Sequence, residues 1–225
     1  MVDRMAAVRA LLPSLLAALS LNCAAAPFAV QLGEARLVLD APPGFADTLD
    51  LASPRLRELA ESLTSASNRI LLFALTDADL RLFSQGDAPA LQRYLLLATP
   101  RALERDSVGL SQFREFSADA VRSLGEAAQP AEFKAFLNAQ AIGRTSLLRV
   151  LRHEPLVASH LVGTRLPPRH GDAPQYLLST TTQLLLRGKV LSVSVYAAYH
   201  DAVDAAWLLD MTQRWTGEIQ RLNAR

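Results

Sequence analysis

The sequence predicts an α+β domain: a mainly antiparallel sheet with packed helices, finishing in a long C-terminal hairpin followed by an amphipathic helix. Three observations carry this. Residues 176–186 and 189–199 are runs of β-branched, aromatic and aliphatic residues separated by Arg187-Gly188, which reads as a hairpin with a two-residue turn. Residues 201–222 place Val203, Trp207, Leu208, Met211, Trp215, Ile219 and Leu222 at helical spacing, with Asp201 as N-cap and Asp204 in the first turn. The strand-like and helix-like segments ahead of them do not alternate regularly, which argues against a Rossmann-type parallel sheet.

The hairpin's register follows from its turn. Leu184 faces Leu191, Thr182 faces Val193, Thr180 faces Val195 and Leu178 faces Ala197, so one side is mostly apolar. The other side pairs Leu185 with Val190, Gln183 with Ser192, Thr181 with Ser194 and Ser179 with Tyr196, and is mostly polar. A one-residue slip would mix the two sets. The expectation is that the apolar side packs on a core, under the closing helix, and that the polar side is wet or covered by something polar. The two tryptophans read as packing anchors, since burying a large side chain contributes about 1.5–3 kcal/mol.

Taken from the start, the chain opens with Arg4 and Arg9, a largely apolar run over residues 10–21, and small residues at Cys23-Ala24-Ala25-Ala26. This is the pattern of a secretory signal peptide, and the run is too short to span a membrane. Cleavage after Ala25 makes residues 1–25 the leader and residues 26–225 one mature α+β domain. The destination is then the bacterial periplasm or the medium. A lipid anchor at Cys23 fits poorly, because Asn22 stands where a lipoprotein signal has a small residue. Cys23 is the single cysteine, so the mature chain would have neither a thiol nor a disulfide. About 200 residues bury roughly 70% of their unfolded surface and need no such staple.

Residues 28–32 and 35–40 flank Gly33-Glu34 as an opening hairpin, closed by the turn Pro42-Pro43-Gly44. Ser53-Pro54 starts a helix with Leu56, Leu59, Ala60 and Leu63 on its apolar side. Residues 69–76 read as a buried strand, Asp77-Ala78-Asp79 as a turn, residues 80–83 as a further strand and residues 93–98 as a third, together an antiparallel meander. Ser111 is placed to cap a helix to about residue 124, with Phe113, Phe116, Ala120, Val121 and Leu124 on one side. A short helix follows over residues 131–139, then a hairpin of residues 146–153 and 156–164 around Glu154-Pro155. Residues 166–174, with three prolines and a glycine, form a loop.

Charge excludes one class of partner. Removing Arg4, Arg9 and Asp3 from 23 basic and 22 acidic residues leaves 21 of each. A balanced chain lacks the basic excess of a nucleic-acid binder, and no basic run or basic amphipathic helix favours adsorption to a membrane. No transmembrane segment is expected in the mature chain.

No motif carries a reaction, and no catalytic, cofactor-binding or metal residue is assigned. His153 and His160 share a face of the second hairpin but lie about 13 Å apart along it, too far for one zinc ion. His170-Gly171-Asp172 is common spacing, and His200-Asp201 is explained by the helix cap. There is no Gly-x-Ser-x-Gly elbow, no phosphate loop and no dinucleotide fingerprint. Asp77 and Asp79 read as a solvated turn. What remains is the polar hairpin face: Thr181, Gln183, Ser192, Ser194 and Tyr196 are neutral hydrogen-bonding groups on a rigid sheet and would hold a polar ligand if that face lined a groove.

The late hairpin running into a helix with Trp207 and Trp215, together with an opening hairpin that ends at Pro43-Gly44, resembles the PsbP-like α/β sandwich of exported bacterial and photosynthetic lumen proteins. The resemblance is one of layout and implies a binding or interaction module more than an enzyme. The leading expectation is therefore an exported, non-enzymatic module of the cell envelope with a protein partner there. A periplasmic hydrolase with a site hidden in the fold and a carrier of a small polar ligand stand beside it.

Overall fold

The computed structural model describes residues 26–168 and 173–224. The expected leader, Cys23 and His170 lie outside the described residues.

The opening hairpin forms as β1 (Phe28–Leu32) and β2 (Ala35–Leu39) and stands as a separate two-stranded sheet. Gly33 turns it at φ +52°, and a Cβ there would lie 2.7 Å from the Arg105 carbonyl oxygen, so both the backbone and the packing require glycine. The rest follows in order: β3 (Phe45–Asp47), α1 (Pro54–Ser62), β4 (Asn68–Thr76), α2 (Asp77–Ser84), β5 (Arg93–Pro100), α3 (Leu110–Arg122), α4 (Phe133–Asn138), β6 (Thr145–Glu154), β7 (Val157–Leu166), β8 (Gln175–Leu186), β9 (Lys189–Ala198) and α5 (Ala202–Leu222). Strands β3 to β9 make one sheet in the order β3-β4-β5-β9-β8-β7-β6. Every neighbouring pair in it is antiparallel, so the α+β class holds.

The closing hairpin has the register its turn dictates: Thr182 pairs with Val193, Thr181 with Ser194 and Leu186 with Lys189. Its second strand enters the sheet beside β5, far back in the chain. The Lys189 side chain is buried, and its ammonium donates to the carbonyls of Glu104 (3.2 Å) and Asp106 (2.6 Å). This ties the hairpin tip to the loop before α3.

Helix α5 lies across one face of the sheet. Leu208, Met211, Trp215 and Ile219 join Leu178, Leu184, Leu191, Val193 and Val195 in the main core, with β1–β2 closing the same side. Asn223 locks the two parts together: its side chain accepts the Val38 N–H (2.9 Å) and donates to the Val38 carbonyl (2.7 Å). The stripe differs from expectation at its start, because Val203 is 70% exposed. The first turn of α5 overhangs the sheet.

The opposite face is covered as well. Leu56 and Ala60 of α1 pack on Phe73, Leu75, Tyr94 and Leu96, with Leu80 and Phe83 of α2 beside them. Phe113 of α3 packs on Leu185 and Val190. The polar hairpin face is therefore a closed layer rather than a wet one: Ser179, Gln183 and Ser194 are buried.

Four local expectations are corrected. Residues 77–84 form a helix where a turn and a strand were expected, and the meander reduces to the pair β4–β5 with α2 between. The cause is Thr76, which accepts the Asp79 N–H (3.2 Å) and donates to the Asp79 carboxylate (3.1 Å) as an N-cap. Asp79 is not a solvated turn residue; it is buried and accepts the N–H groups of Ala90 (2.7 Å) and Leu91 (3.2 Å). Helix α3 starts at Gly109 rather than Ser111, with the Gln112 side chain accepting the Gly109 N–H (3.0 Å). The β6–β7 turn centres on Pro155-Leu156, and the pairing slips between Leu147 and Arg149 and again between Val150 and Arg152. His160 then faces Val150 and His153 faces Ala158.

Candidate functional site

The register that fixes the hairpin also sets hydroxyls side by side. Ser159 of β7 stands directly opposite Thr182 of β8, and their oxygens are 2.8 Å apart. Across from them, Thr212 and Thr216 sit one turn apart on the sheet-facing side of α5. All four are buried. Each is a hydroxyl where a packed core would take a methyl, and together they floor a concavity of about 400 Å³ between α5 and β6–β8.

Their hydrogen bonds can be followed proton by proton. Thr212 donates to the Leu208 carbonyl (2.7 Å) and Thr216 to the Thr212 carbonyl (2.7 Å), the usual way a helical threonine satisfies itself. Thr180 also lies in bonding contact with the Thr212 oxygen, and since the Thr212 proton is taken, Thr180 is the donor. The pair Ser159–Thr182 is different. Two hydroxyls carry two protons and their mutual bond uses one. The other has no acceptor among the described residues, so one O–H of the pair is unused.

The rim comes from β6 and the outer side of α5. Leu151 is the residue left over where the β6 pairing slips between Val150 and Arg152, and it lines the concavity with Arg152, Leu209 and Gln213. A slip of this kind bends a strand and re-aims its side chains. Arg152 is held by Glu154 through two bonds of 2.9 Å, and the same guanidinium keeps the Glu154 carboxyl below its ordinary range. Arg152 is thus the one ionisable group of the lining, and its charge is already matched. The arrangement offers hydroxyls, an amide and two leucines. It suits hydrogen bonding to a neutral polar group and includes no pair of nucleophile and base.

The five residues expected to face a ligand lie elsewhere. Thr181 and Ser194 bond each other at 3.1 Å. Tyr196 stacks on Tyr94 with centroids 4.4 Å apart, and burial pushes its hydroxyl pKa up. Gln183 is 4% exposed, and Ser192 is half-buried on the same covered face. None of the five lines the concavity beside α5. Two buried atoms on that face, Gln183 Oε1 and His160 Nδ1, have no hydrogen-bond partner. His160 is no surface residue but 6% exposed, while His153 and His200 are exposed. Among the described residues no three His, Cys, Asp or Glu side chains are grouped to hold a metal.

Sequence reasoning missed Ser159, Thr182, Thr212 and Thr216. Thr182 was counted with the apolar side of the hairpin, and the helix threonines fell between the large apolar residues of the stripe. The available signal was that pair of threonines one turn apart, on the same helix face as Leu208 and Trp215.

No family model and no curated relative matches the chain. A solved structure similar to it in layout is the Ran-binding protein Mog1p of Saccharomyces cerevisiae, at 12% identity and a TM-score of 0.38, covering 89% of this chain and 93% of that one. The reading of the site therefore rests on this chain's own residues.

Proposed function

We propose that this chain is an exported, non-catalytic binding module of the bacterial cell envelope, and that the hydroxyl-floored concavity beside α5 is where it holds its ligand or a polar segment of a protein partner. The observation that carries this is the convergence of Ser159, Thr182, Thr212 and Thr216 at an open concavity, with one hydroxyl proton unused. Buried hydroxyls in a core otherwise built from leucine and valine break the local packing rule, and such breaks belong at functional sites. A neutral lining with its rim charge matched favours a neutral polar ligand, because an anion would compete with Glu154 for Arg152 and a cation would be repelled by it.

Export rests on the leader over residues 1–25. The layout resemblance read from the sequence, to PsbP-like sandwiches found in exported proteins, points the same way. No helix among the described residues is long and apolar enough to cross a membrane.

Two measurements test the proposal. Expressing residues 1–225 in a bacterium and sequencing the recovered N-terminus should give a chain beginning at Ala26; an uncut chain in the cytoplasm would overturn export. Native mass spectrometry of the recovered protein, beside its denatured mass, should show a non-covalent adduct that Thr182→Val abolishes. An adduct-free wild-type chain that also captures no envelope protein would overturn the binding reading.

A further inference from the structure

A second concavity, of about 430 Å³, opens beside the last turns of α1, where β4 begins and β5 ends. Its volume is that of a small-molecule site. Three guanidiniums reach it from three elements: Arg57 from α1, Arg69 from the start of β4, and Arg101 from the position after β5. Arg57 and Arg101 are exposed, so a solute can touch them directly.

Their own bonds leave donors over. Arg69 gives Nη1 to the Glu104 carboxylate, which matches its charge. Arg101 is tied to the loop ahead of β4: its backbone N–H donates to the Ser67 carbonyl (2.9 Å) and its Nε to the Ala66 carbonyl (3.2 Å). Neutral carbonyls orient a guanidinium without cancelling its charge, and both Nη groups of Arg101 lack an acceptor among the described residues. Arg57 has neither a hydrogen bond nor an ion pair among the described residues. Glu61 follows it by one turn, but base before acid is the weaker order on a helix, and the two do not pair. Thr64 accepts the Asn68 amide (3.0 Å), and its own proton has no acceptor among the described residues. With Arg69 matched, the lining keeps Arg57 and Arg101 against Glu61, one positive charge in excess. Half-buried Leu49 and Ile70 supply an apolar wall.

We infer that this concavity binds a small organic carboxylate, with Arg57 and Arg101 donating to its two oxygens and its apolar body lying against Leu49 and Ile70. Charge-assisted bonds from guanidinium to carboxylate are among the stronger hydrogen bonds a surface site can make. A single excess charge is matched by a monoanion, whereas a doubly charged phosphate would leave one negative charge facing Glu61. A bare inorganic anion would leave the apolar wall uncovered. The site is independent of the hydroxyl-floored concavity, because α1 covers the opposite face of the sheet from α5.

The test is an NMR titration of the purified chain with hexanoate and, in parallel, with its neutral isostere hexanamide. The expected result is saturable shifts around Arg57, Ile70 and Arg101 with hexanoate alone. Arg57→Gln should weaken binding about two- to five-fold. Glu61→Gln should tighten it about two- to five-fold by removing an exposed negative charge, a gain that a misfolded protein cannot imitate. Equal shifts with hexanamide, or no tightening in Glu61→Gln, would overturn the inference. Two competitors probe the ligand class. Inorganic phosphate displacing hexanoate about tenfold more strongly than hexanoate binds would overturn the carboxylate assignment. A peptide ending in a free leucine carboxylate that wins by the same margin would overturn the small acid in favour of a partner's chain terminus.

Discussion

The two faces of the closing hairpin differ in composition, and each is covered in the opposite sense to what its composition suggests. On the side toward α5, Thr180 and Thr182 interrupt an apolar surface, and at that interruption the packing opens into a concavity. On the other side, Ser179, Thr181, Gln183, Ser192 and Ser194 form a nearly continuous polar layer, yet it is closed beneath α1, α2 and α3. A polar strand pattern therefore reports a need for hydrogen bonds, not exposure to water. Where the hydroxyls bond each other, as Thr181 and Ser194 do, a polar layer can be buried at little cost. Where one helix covers a seven-stranded sheet, even an apolar face is left partly uncovered.

The largest effect should come from the anchor of the open face. Trp215 is 1% exposed, is central to the main core and donates its N–H to the Asp40 carbonyl. Trp215→Ala should cost about 3–5 kcal/mol in urea unfolding and leave a cavity between α5 and the segment after β2. A loss below about 1 kcal/mol would mean that the helix is held by something other than this packing.

The next effect belongs to the closed face and depends on pH. His160 is buried there, and burial pushes its pKa below the ordinary 6.5. The unfolded chain takes up a proton near pH 6.5, whereas the folded chain resists it until a lower pH. Stability is therefore fully present above about pH 6.5 and is lost as the pH falls from there toward the folded pKa. Unfolding midpoints between pH 7.5 and 5 should fall for the wild type and fall less for His160→Gln. Parallel slopes would show that the layer around His160 is open to water after all.

Smaller and opposite in sign are two substitutions that set the faces against each other. Gln183→Met removes the unpartnered buried oxygen of the closed face and should be neutral or stabilising by up to about 1 kcal/mol. Thr182→Val on the open face keeps its volume but strips Ser159 of its partner, and should destabilise by about 1 kcal/mol while losing any bound ligand. Losses of the same size from both would erase the distinction drawn between the faces.

These contrasts mark where the sequence could be read. The hairpin register was legible because a two-residue turn and a period of two leave no freedom. Helix α1 was legible from Ser53-Pro54, and the Ser53 oxygen does accept the Leu56 N–H, at 3.5 Å. Helix α2 was not, because Leu80, Leu82 and Phe83 are too few to separate a helix from a strand, and the deciding contact is the Thr76–Asp79 cap. The concavity was invisible for a different reason. Ser159, Thr182 and Thr212 come from three separate segments, and the slip that frees Leu151 depends on how β6 meets β7. Local pattern fixes which residues share a face; it does not fix what lies over that face.

The smallest predicted effect tests that last point. By periodicity Val203 begins the apolar stripe of α5, in the same series as Leu208 and Trp215, yet it is 70% exposed because the first turn extends past the sheet. The Asp201 carboxylate accepts the Val203 N–H at 2.8 Å, so the cap, not the side chain, holds this turn. Val203→Ser should therefore change stability by no more than about 0.5 kcal/mol, while Asp201→Ala should cost about 1 kcal/mol. A loss of 2 kcal/mol or more at Val203 would mean that a surface covers it in solution, and the exposed start of α5 would then have to be redrawn as part of an interface.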